Sequence, residues 1–232
     1  MNKAQIAAVL GAVVLVGGAF WYTHTKQKAE PIGATVTPIA GGNFAVGATS
    51  STPVMGGVVV SAPATLAISS KDNLSSWSFK GVYSGNAALE QKAQQDIAQT
   101  ISSLATLTGN NLQRAYIKLG MQYESLGDGK NAYNSYLKVL NTKEQYQENN
   151  AVAWAKLGDL LATLGAYNTA AVAYAKSTSA LPKEPSLYVA RITFLMHYLP
   201  QQKADIQAAF AEADKNIPGD ASVAQLRAQY GQ

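Results

Sequence analysis

The side chains that most often carry enzyme chemistry are scarce in this sequence of 232 residues. There is no cysteine, which excludes a thiol nucleophile, a disulfide and a cysteine-bound metal, and there are two histidines, His24 and His197. A Ser–His–acid triad in the second half of the chain would have to use His197, which we expect to be a partly buried or surface histidine on a helix. The acidic residues are scattered, without the spacing of a metal-binding loop. We therefore predict that the chain is not an enzyme and has neither a metal site nor a cofactor.

Charged residues are few and evenly spread. They make up 14% of the chain, and the formal net charge is +4. The lysines and arginines form no run, whereas a nucleic-acid surface needs clustered positive charge. The sequence therefore predicts no nucleic-acid partner, and the helices and linkers that hold the remaining polar residues become the guide to function.

The N-terminus carries a long apolar run. Residues 6–22 include no charged side chain. With its flanks the run covers residues 5–25, about 20 residues or about 30 Å of helix, which is enough to cross a membrane. An aromatic cluster at 20–22 is typical of a membrane interface. A cleaved signal peptide is the alternative, since Lys3 supplies a basic start and small residues follow. We favour a single-pass transmembrane anchor at 1–25, with the rest of the chain outside the cytoplasm.

A linker is predicted over residues 26–83. Residues 31–70 have no charged side chain and are rich in Gly, Pro, Ser and Thr, which indicates a flexible tether. A short strand at 57–61 that becomes ordered within an assembly is the alternative. Near the end of the linker, Trp77 and Phe79 are predicted to pack onto the first helix as a cap. A ligand-binding aromatic patch is the other interpretation.

Apolar residues recur at helical spacing after the linker, within a predicted domain at 84–232. One face of a first helix is predicted from five apolar residues spaced four, four, four and three apart. They are Leu89, Ala93, Ile97, Ile101 and Leu104.

Two later stretches repeat one pattern of glycine, alanine and tyrosine. Four pairs of residues are each separated by 38 residues: Gly120 and Gly158, Gly127 and Gly165, Ala132 and Ala170, Tyr136 and Tyr174. Each stretch predicts two antiparallel helices with a tight turn at the second glycine. In the second stretch, Trp154, Leu157 and Leu161 share one helix face. Pro182 ends that stretch because it cannot donate the next backbone hydrogen bond.

This pattern resembles the tetratricopeptide repeat (TPR), whose signature runs W-x2-L-G, then a turn glycine, then A-x3-F/Y and a proline. Units are expected at about 111–144, 151–184 and 185–218. The third is degenerate and is placed by Tyr188 and Ala204, which lie 34 residues after Trp154 and Ala170. The first spacing exceeds the usual repeat by four residues, and we place this excess at 141–150.

The resemblance implies an all-α fold: a TPR-like α-solenoid of antiparallel helix pairs, preceded by the transmembrane helix and the low-charge linker. A C-terminal helix at 220–230 is expected to cover the last pair, because the end of such an array is otherwise apolar.

The resemblance also implies a concave groove lined by the first helix of each pair. By signature register, ten residues would line it: Arg114, Ile117, Met121, Glu124, Ala155, Asp159, Ala162, Val189, Thr193 and Met196. The expected occupant is a protein or peptide segment. The alternative occupant is the C-terminal helix of the chain or its Trp77 segment. The Lys/Asn cluster with which some members of the family hold a terminal carboxylate is missing, so that specificity is not implied.

A TPR scaffold or adaptor, anchored in the membrane and mediating protein–protein interaction in a cell-envelope assembly, is the function that the resemblance implies. The alternative is a structural subunit of a filament or large envelope complex, formed through self-association.

Overall fold

The computed structural model describes residues 64–231 of the chain, and this part is all-α. Its one β-type pairing is an isolated bridge between Ser78 and Asp128. The predicted anchor at 1–25 and most of the predicted linker lie outside the described residues. Between residues 64 and 231, none of the helices combines the length and the apolar character needed to cross a bilayer.

Eight α-helices follow one another with short connections. They are α1 (Ala87–Ser103, followed by a 3₁₀ turn at Leu104–Thr106), α2 (Gly109–Leu126), α3 (Gly129–Leu140), α4 (Gln147–Thr163), α5 (Tyr167–Ala180), α6 (Pro185–Tyr198), α7 (Lys203–Asn216) and α8 (Ala221–Tyr230).

The helices fold back on one another at tight glycine turns. Gly127, between α2 and α3, has φ 79°, and Gly165, between α4 and α5, has the same value. A left-handed backbone of this kind suits glycine, which has no Cβ. At the first turn the Asp128 carboxylate then accepts from the Asn131 amide across 3.1 Å and begins α3. Each helix packs on its neighbours in the chain, α2 also contacts α4, and α8 packs on α6 and α7.

A glycine faces a tyrosine ring within each of the first two helix pairs. A Cβ on Gly120 of α2 would come within 3.0 Å of the Tyr136 ring on α3, and a Cβ on Gly158 of α4 would lie 2.9 Å from the Tyr174 ring on α5. Both rings are buried. Glycine in mid-helix costs about 1 kcal/mol relative to alanine. The close ring contact explains why these two helices nevertheless contain it.

The third helix pair, α6 and α7, follows a different register in its second helix. The Ala204 side chain, which the sequence predicted at the position equivalent to Ala170, is exposed. The buried residue is Ile206, two positions later. The reason is a longer connection, because α6 ends at Tyr198 and α7 begins only at Lys203.

The four extra residues between the first two units are largely helical. The helix α4 begins at Gln147 and so contains a turn that the sequence assigned to an insertion. The connection before it is held by Gln113, which is fully buried. Its Nε2 atom lies 2.7 Å from Thr142 Oγ1 and 3.1 Å from the Glu144 carbonyl oxygen. The insertion is therefore fixed to α2 by side-chain hydrogen bonds.

Residues 64–83, here called the strap, cross the helices as a non-helical segment. Leu66 is buried, and the Tyr133 hydroxyl donates to its carbonyl oxygen. Further along the strap, the Ser69 amide donates to Thr169 Oγ1 across 2.9 Å. The strap therefore links α3, which carries Tyr133, to α5, which carries Thr169.

The aromatic end of the strap packs against α3. Trp77 tilts against Tyr133, with ring centroids 5.0 Å apart, and the Phe79 amide donates to the Gly127 carbonyl across 3.1 Å. A Cβ on Gly129 would lie 2.5 Å from the Trp77 carbonyl oxygen. The prediction that these rings cap the first helix was wrong, because the glycines around the α2–α3 turn let the strap approach α3 instead.

Asp72 of the strap caps α5. Its carboxylate accepts from the Asn168 amide (2.9 Å), the Thr169 amide (2.8 Å) and the Thr169 hydroxyl (2.6 Å). The local N-cap residue is Ala166, which has no side-chain acceptor. Asp72 supplies that acceptor from 96 residues earlier in the chain. These contacts hold the C-terminal part of the range 26–83, which the sequence predicted as a flexible linker, against the helices.

Candidate functional site

The ten residues predicted to line a groove lie on α2, α4 and α6. Nine of them are exposed or partly exposed, and Asp159 is the most open. The exception is Ile117, which is fully buried and belongs to the core. It is covered because α2 packs against three helices, α1, α3 and α4, and not only against its own partner. The prediction that Ile117 lines the groove was therefore wrong.

Two of the predicted residues, Glu124 and Asp159, belong to one polar cluster. We call the set Glu124, Tyr136, Lys156, Asp159 and Tyr174 the acid–tyrosine cluster; its members come from α2, α3, α4 and α5.

Asp159 is the best-connected member of the acid–tyrosine cluster. Its Oδ2 lies 3.0 Å from the Lys156 ammonium, and its Oδ1 accepts from the Tyr174 hydroxyl across 2.6 Å. The Asp159 side chain is still 47% exposed. The two hydrogen bonds fix its orientation and leave its outer edge open to an incoming group.

Glu124 is the buried carboxyl of the cluster. Burial raises its pKa to about 7; the Lys156 ammonium works against this shift, Asp159 adds to it, and the Tyr136 hydroxyl beside it works against it. Glu124 Oε1 and the Tyr136 hydroxyl are both buried, and neither completes a hydrogen bond of standard geometry within residues 64–231. Glu124 is thus close to half-ionised at neutral pH.

Lys156 lies between the two carboxyls. Asp159 raises its pKa, burial opposes this shift, and Glu124 adds to it. Burial also raises the pKa values of Tyr136 and Tyr174, with Glu124 and Asp159 among the further causes. Both phenols therefore stay neutral and act as hydrogen-bond groups, while the charge of the cluster depends on Glu124.

Three members of the cluster were missed as functional residues. Tyr136 and Tyr174 were assigned to the core by their rings, and their hydroxyls were not considered. Lys156 had a visible signal, because it precedes Asp159 by three residues and such pairs share a helix face. The position of Glu124 next to this pair depends on how α2 packs on α4, which the sequence does not encode locally.

The third helix pair offers less polar chemistry on its predicted groove face. Val189, Thr193 and Met196 lie on α6, and Thr193 Oγ1 is buried without a hydrogen-bond partner in the described part of the chain. Arg191 does not reach the groove as a free cation, since it pairs with Glu212 across 2.6 Å. His197 is exposed and lies edge-on to its neighbour Tyr198.

The arrangement supports binding by charge and hydrogen bonding. Within residues 64–231 no group of three or more His, Asp and Glu side chains could hold a metal ion. Comparisons with protein-family models, with curated proteins and with solved structures gave no match. The interpretation of function therefore depends on the fold and on the acid–tyrosine cluster.

Proposed function

We propose that this chain is a membrane-anchored, TPR-like scaffold or adaptor that holds a protein or peptide segment in a groove formed by α2, α4 and α6. The repeated glycine–tyrosine contact carries the proposal. The contacts of Gly120 with Tyr136 and of Gly158 with Tyr174 recur at one spacing, as expected for stacked helix pairs of a solenoid. A stacked array of this kind presents the first helices of its pairs side by side, and an extended peptide or a helix fits such a surface.

The proposal assigns a binding role and not a reaction. The acid–tyrosine cluster has a carboxyl with a pKa near neutrality, but no cysteine and no histidine belongs to it. The uncharged stretch at 31–70 would act as the tether, the span at 5–25 would anchor it, and the helical domain would lie outside the cytoplasm. The partner would be another component of a cell-envelope assembly.

Site-specific photo-cross-linking in cells tests the groove. A photoreactive amino acid is placed at Ala155 or Ala162 on the predicted groove face of α4, and at Val172 of α5 as the control. Val172 is 47% exposed, so its accessibility is not limiting. We expect a discrete adduct from the two α4 positions and none from Val172. The same adducts from all three positions, or none from α4, would contradict the groove.

Self-association as a structural subunit remains the second candidate, and the surface of α1 favours it. Leu89 and Ile101 of α1 are 41% and 48% exposed, and Val82 just before this helix is 83% exposed. Exposed apolar side chains of this size are typical of interaction surfaces when they form a patch. Mass spectrometry of the adducts discriminates between the two candidates. An adduct made only of this chain, through α1, would favour the subunit role, and a foreign partner on α4 would favour the adaptor.

A further inference from the structure

We infer that the groove recognises a basic side chain of its partner, a lysine ammonium or an arginine guanidinium, at the paired carboxyls of Glu124 and Asp159. The inference rests on the proposed function, since it specifies the chemistry of the segment that the groove would hold. It predicts that the bound segment is anchored by one cation and is otherwise tolerant in sequence.

An unpartnered buried carboxyl is the first observation. Glu124 is largely buried, and its Oε1 finds no hydrogen-bond donor among residues 64–231. The neighbouring Tyr136 hydroxyl is unpartnered in the same way. Buried polar atoms in native proteins are almost always hydrogen-bonded, so an orphaned carboxyl oxygen indicates a missing donor. The ammonium and guanidinium groups are the donors that carboxylates bind most strongly.

The charge balance of the cluster is the second observation. Two carboxyls, Glu124 and Asp159, face one cation, Lys156, and the remaining polar groups are the neutral phenols of Tyr136 and Tyr174. Lys156 is closest to Asp159, with 3.0 Å between the charged atoms. When Glu124 is ionised, the cluster therefore has a net charge of −1. One further cation would neutralise it.

Access from the groove is the third observation. The Asp159 side chain is 47% exposed, and Lys156 beside it is 27% exposed, so the outer edge of the cluster is open to solvent. An incoming cation would meet Asp159 first and share it with Lys156. The competing occupant, a carboxylate of the partner, is disfavoured. The orphaned Glu124 atom is an acceptor, and the one cation in the cluster is already bound to Asp159.

A peptide selection on the full-length chain in detergent tests the inference. Peptides are selected at pH 8 from a random hexapeptide library, and those that cross-link to a photoreactive residue at Ala155 are sequenced. We expect these peptides to share a lysine or arginine at one position. Replacing that residue by norleucine should weaken binding at least tenfold.

Three variants of the protein are compared with the parent. Glu124→Gln and Asp159→Asn preserve shape and remove charge, and each should weaken the selected peptide about tenfold or more. Glu148→Gln removes an exposed carboxyl in the first turn of α4, away from the cluster, and should leave binding unchanged. Thermal melting checks that each variant is folded, and Asp159→Asn, a partly exposed site, keeps the test valid if Glu124→Gln does not fold.

The pH profile gives a second result that a merely structural role would not produce. A bound cation favours the ionised Glu124, so affinity should rise from pH 6 to pH 8. With a pKa of about 7 in the free protein, the ionised fraction grows roughly tenfold over this range, and so should the affinity. In Glu124→Gln the profile should be flat.

Several outcomes would overturn the inference. Peptides that cross-link at Ala155 but lack a basic residue, are acidic, or bind both charge-removing variants unchanged would refute cation recognition and leave the groove itself standing. A library that yields no peptide cross-linked at Ala155 would refute both the inference and the proposed groove.

Discussion

The Tyr174 hydroxyl donates to Asp159 across 2.6 Å, and this hydrogen bond joins the two helices of the second pair on their polar side. Tyr136, at the equivalent position 38 residues earlier, makes the same ring contact with a glycine, but its hydroxyl completes no hydrogen bond within the described chain. The two tyrosines are therefore a matched pair. They share their packing and differ in the partner of one hydroxyl.

Removing each hydroxyl separates these contributions. We expect Tyr174→Phe to lower the free energy of unfolding by about 1 kcal/mol, because Asp159 loses a donor in a partly buried site. Tyr136→Phe should cost less than about 0.5 kcal/mol, because it removes a buried group that has no standard hydrogen bond. Urea unfolding of both variants at one pH gives the comparison. Equal losses in the two variants would contradict the assignment.

Adding a methyl group at the two mid-helix glycines tests the ring contacts. Gly120→Ala should destabilise the protein by about 1–3 kcal/mol, because the Tyr136 ring is fully buried and cannot move aside. Gly158→Ala should cost less, because its Cβ would stand 2.9 Å from the Tyr174 ring and need only a small shift. The gain in helix propensity of about 1 kcal/mol offsets part of both losses. Urea unfolding measures the order, and a larger loss at Gly158 would show that the contacts are wrongly ranked.

Glu124 should make stability depend on pH in the near-neutral range. Its pKa in the folded protein is about 7, above its ordinary value of 4.5, so the folded state binds the proton more tightly. This contribution to stability is complete below about pH 4.5 and is lost as the pH rises through 7. The loss between pH 5 and pH 8 is up to about 3 kcal/mol.

Two variants isolate the Glu124 contribution to the pH profile. Glu124→Gln cannot ionise and should be more stable than the parent at pH 8, with the difference shrinking toward pH 5. Glu148→Gln should keep the slope of the parent. Urea unfolding at half-unit pH steps gives the profiles, and a parent protein whose stability does not fall between pH 5 and pH 8 relative to Glu124→Gln would refute the assignment.

The cap from the strap should be needed for the start of α5. Asp72→Ala removes the acceptor for the Asn168 and Thr169 amides, and we expect a loss of about 1–2 kcal/mol. Asn73→Ala, an exposed neighbour in the strap, is the control and should change stability by less than about 0.5 kcal/mol. Hydrogen exchange should show faster exchange of the Asn168 and Thr169 amides in Asp72→Ala alone. Equal exchange in the two variants would place the cap elsewhere.

The all-α class of the described chain follows from the periodicity of its apolar residues, and the sequence predicted it correctly. Helical spacing is local information, and glycines such as Gly127 and Gly165 have a local conformational reason. The register of the third pair was wrong because the length of the α6–α7 connection is not fixed by any repeated residue. Ala204 and Ile206 are both apolar, so composition alone does not distinguish them.

The strap could not be predicted by the same means. Its hydrogen bonds join main-chain atoms to side chains 67 to 100 residues away, as between Leu66 and Tyr133 or Ser69 and Thr169. Such bonds leave no periodic trace in the sequence. The stretch is uncharged and broken by small residues, which is also the composition of a linker. Only the position of α3 beside α5 turns these residues into a docked segment.

The acid–tyrosine cluster was predicted in part. The repeat register placed Glu124 and Asp159 on the groove face, and the structure brings them to one ammonium, that of Lys156. The burial of Glu124, which sets its pKa, results from the packing of neighbouring helices around α2. That packing is a tertiary property, so the unusual acidity of the residue had no signal in the sequence.

During synthesis, the strap leaves the ribosome before every helix that it contacts. Ser69 and Thr169 are 100 residues apart, which corresponds to about 5–20 seconds of translation at typical speeds. The helix pairs form from contacts near in sequence and can close as they emerge. Leu66 and Trp77 must wait for partners that do not yet exist. The earliest part of the domain to be made is thus the last to dock, and translation speed sets how long its apolar side chains stay open to chaperones.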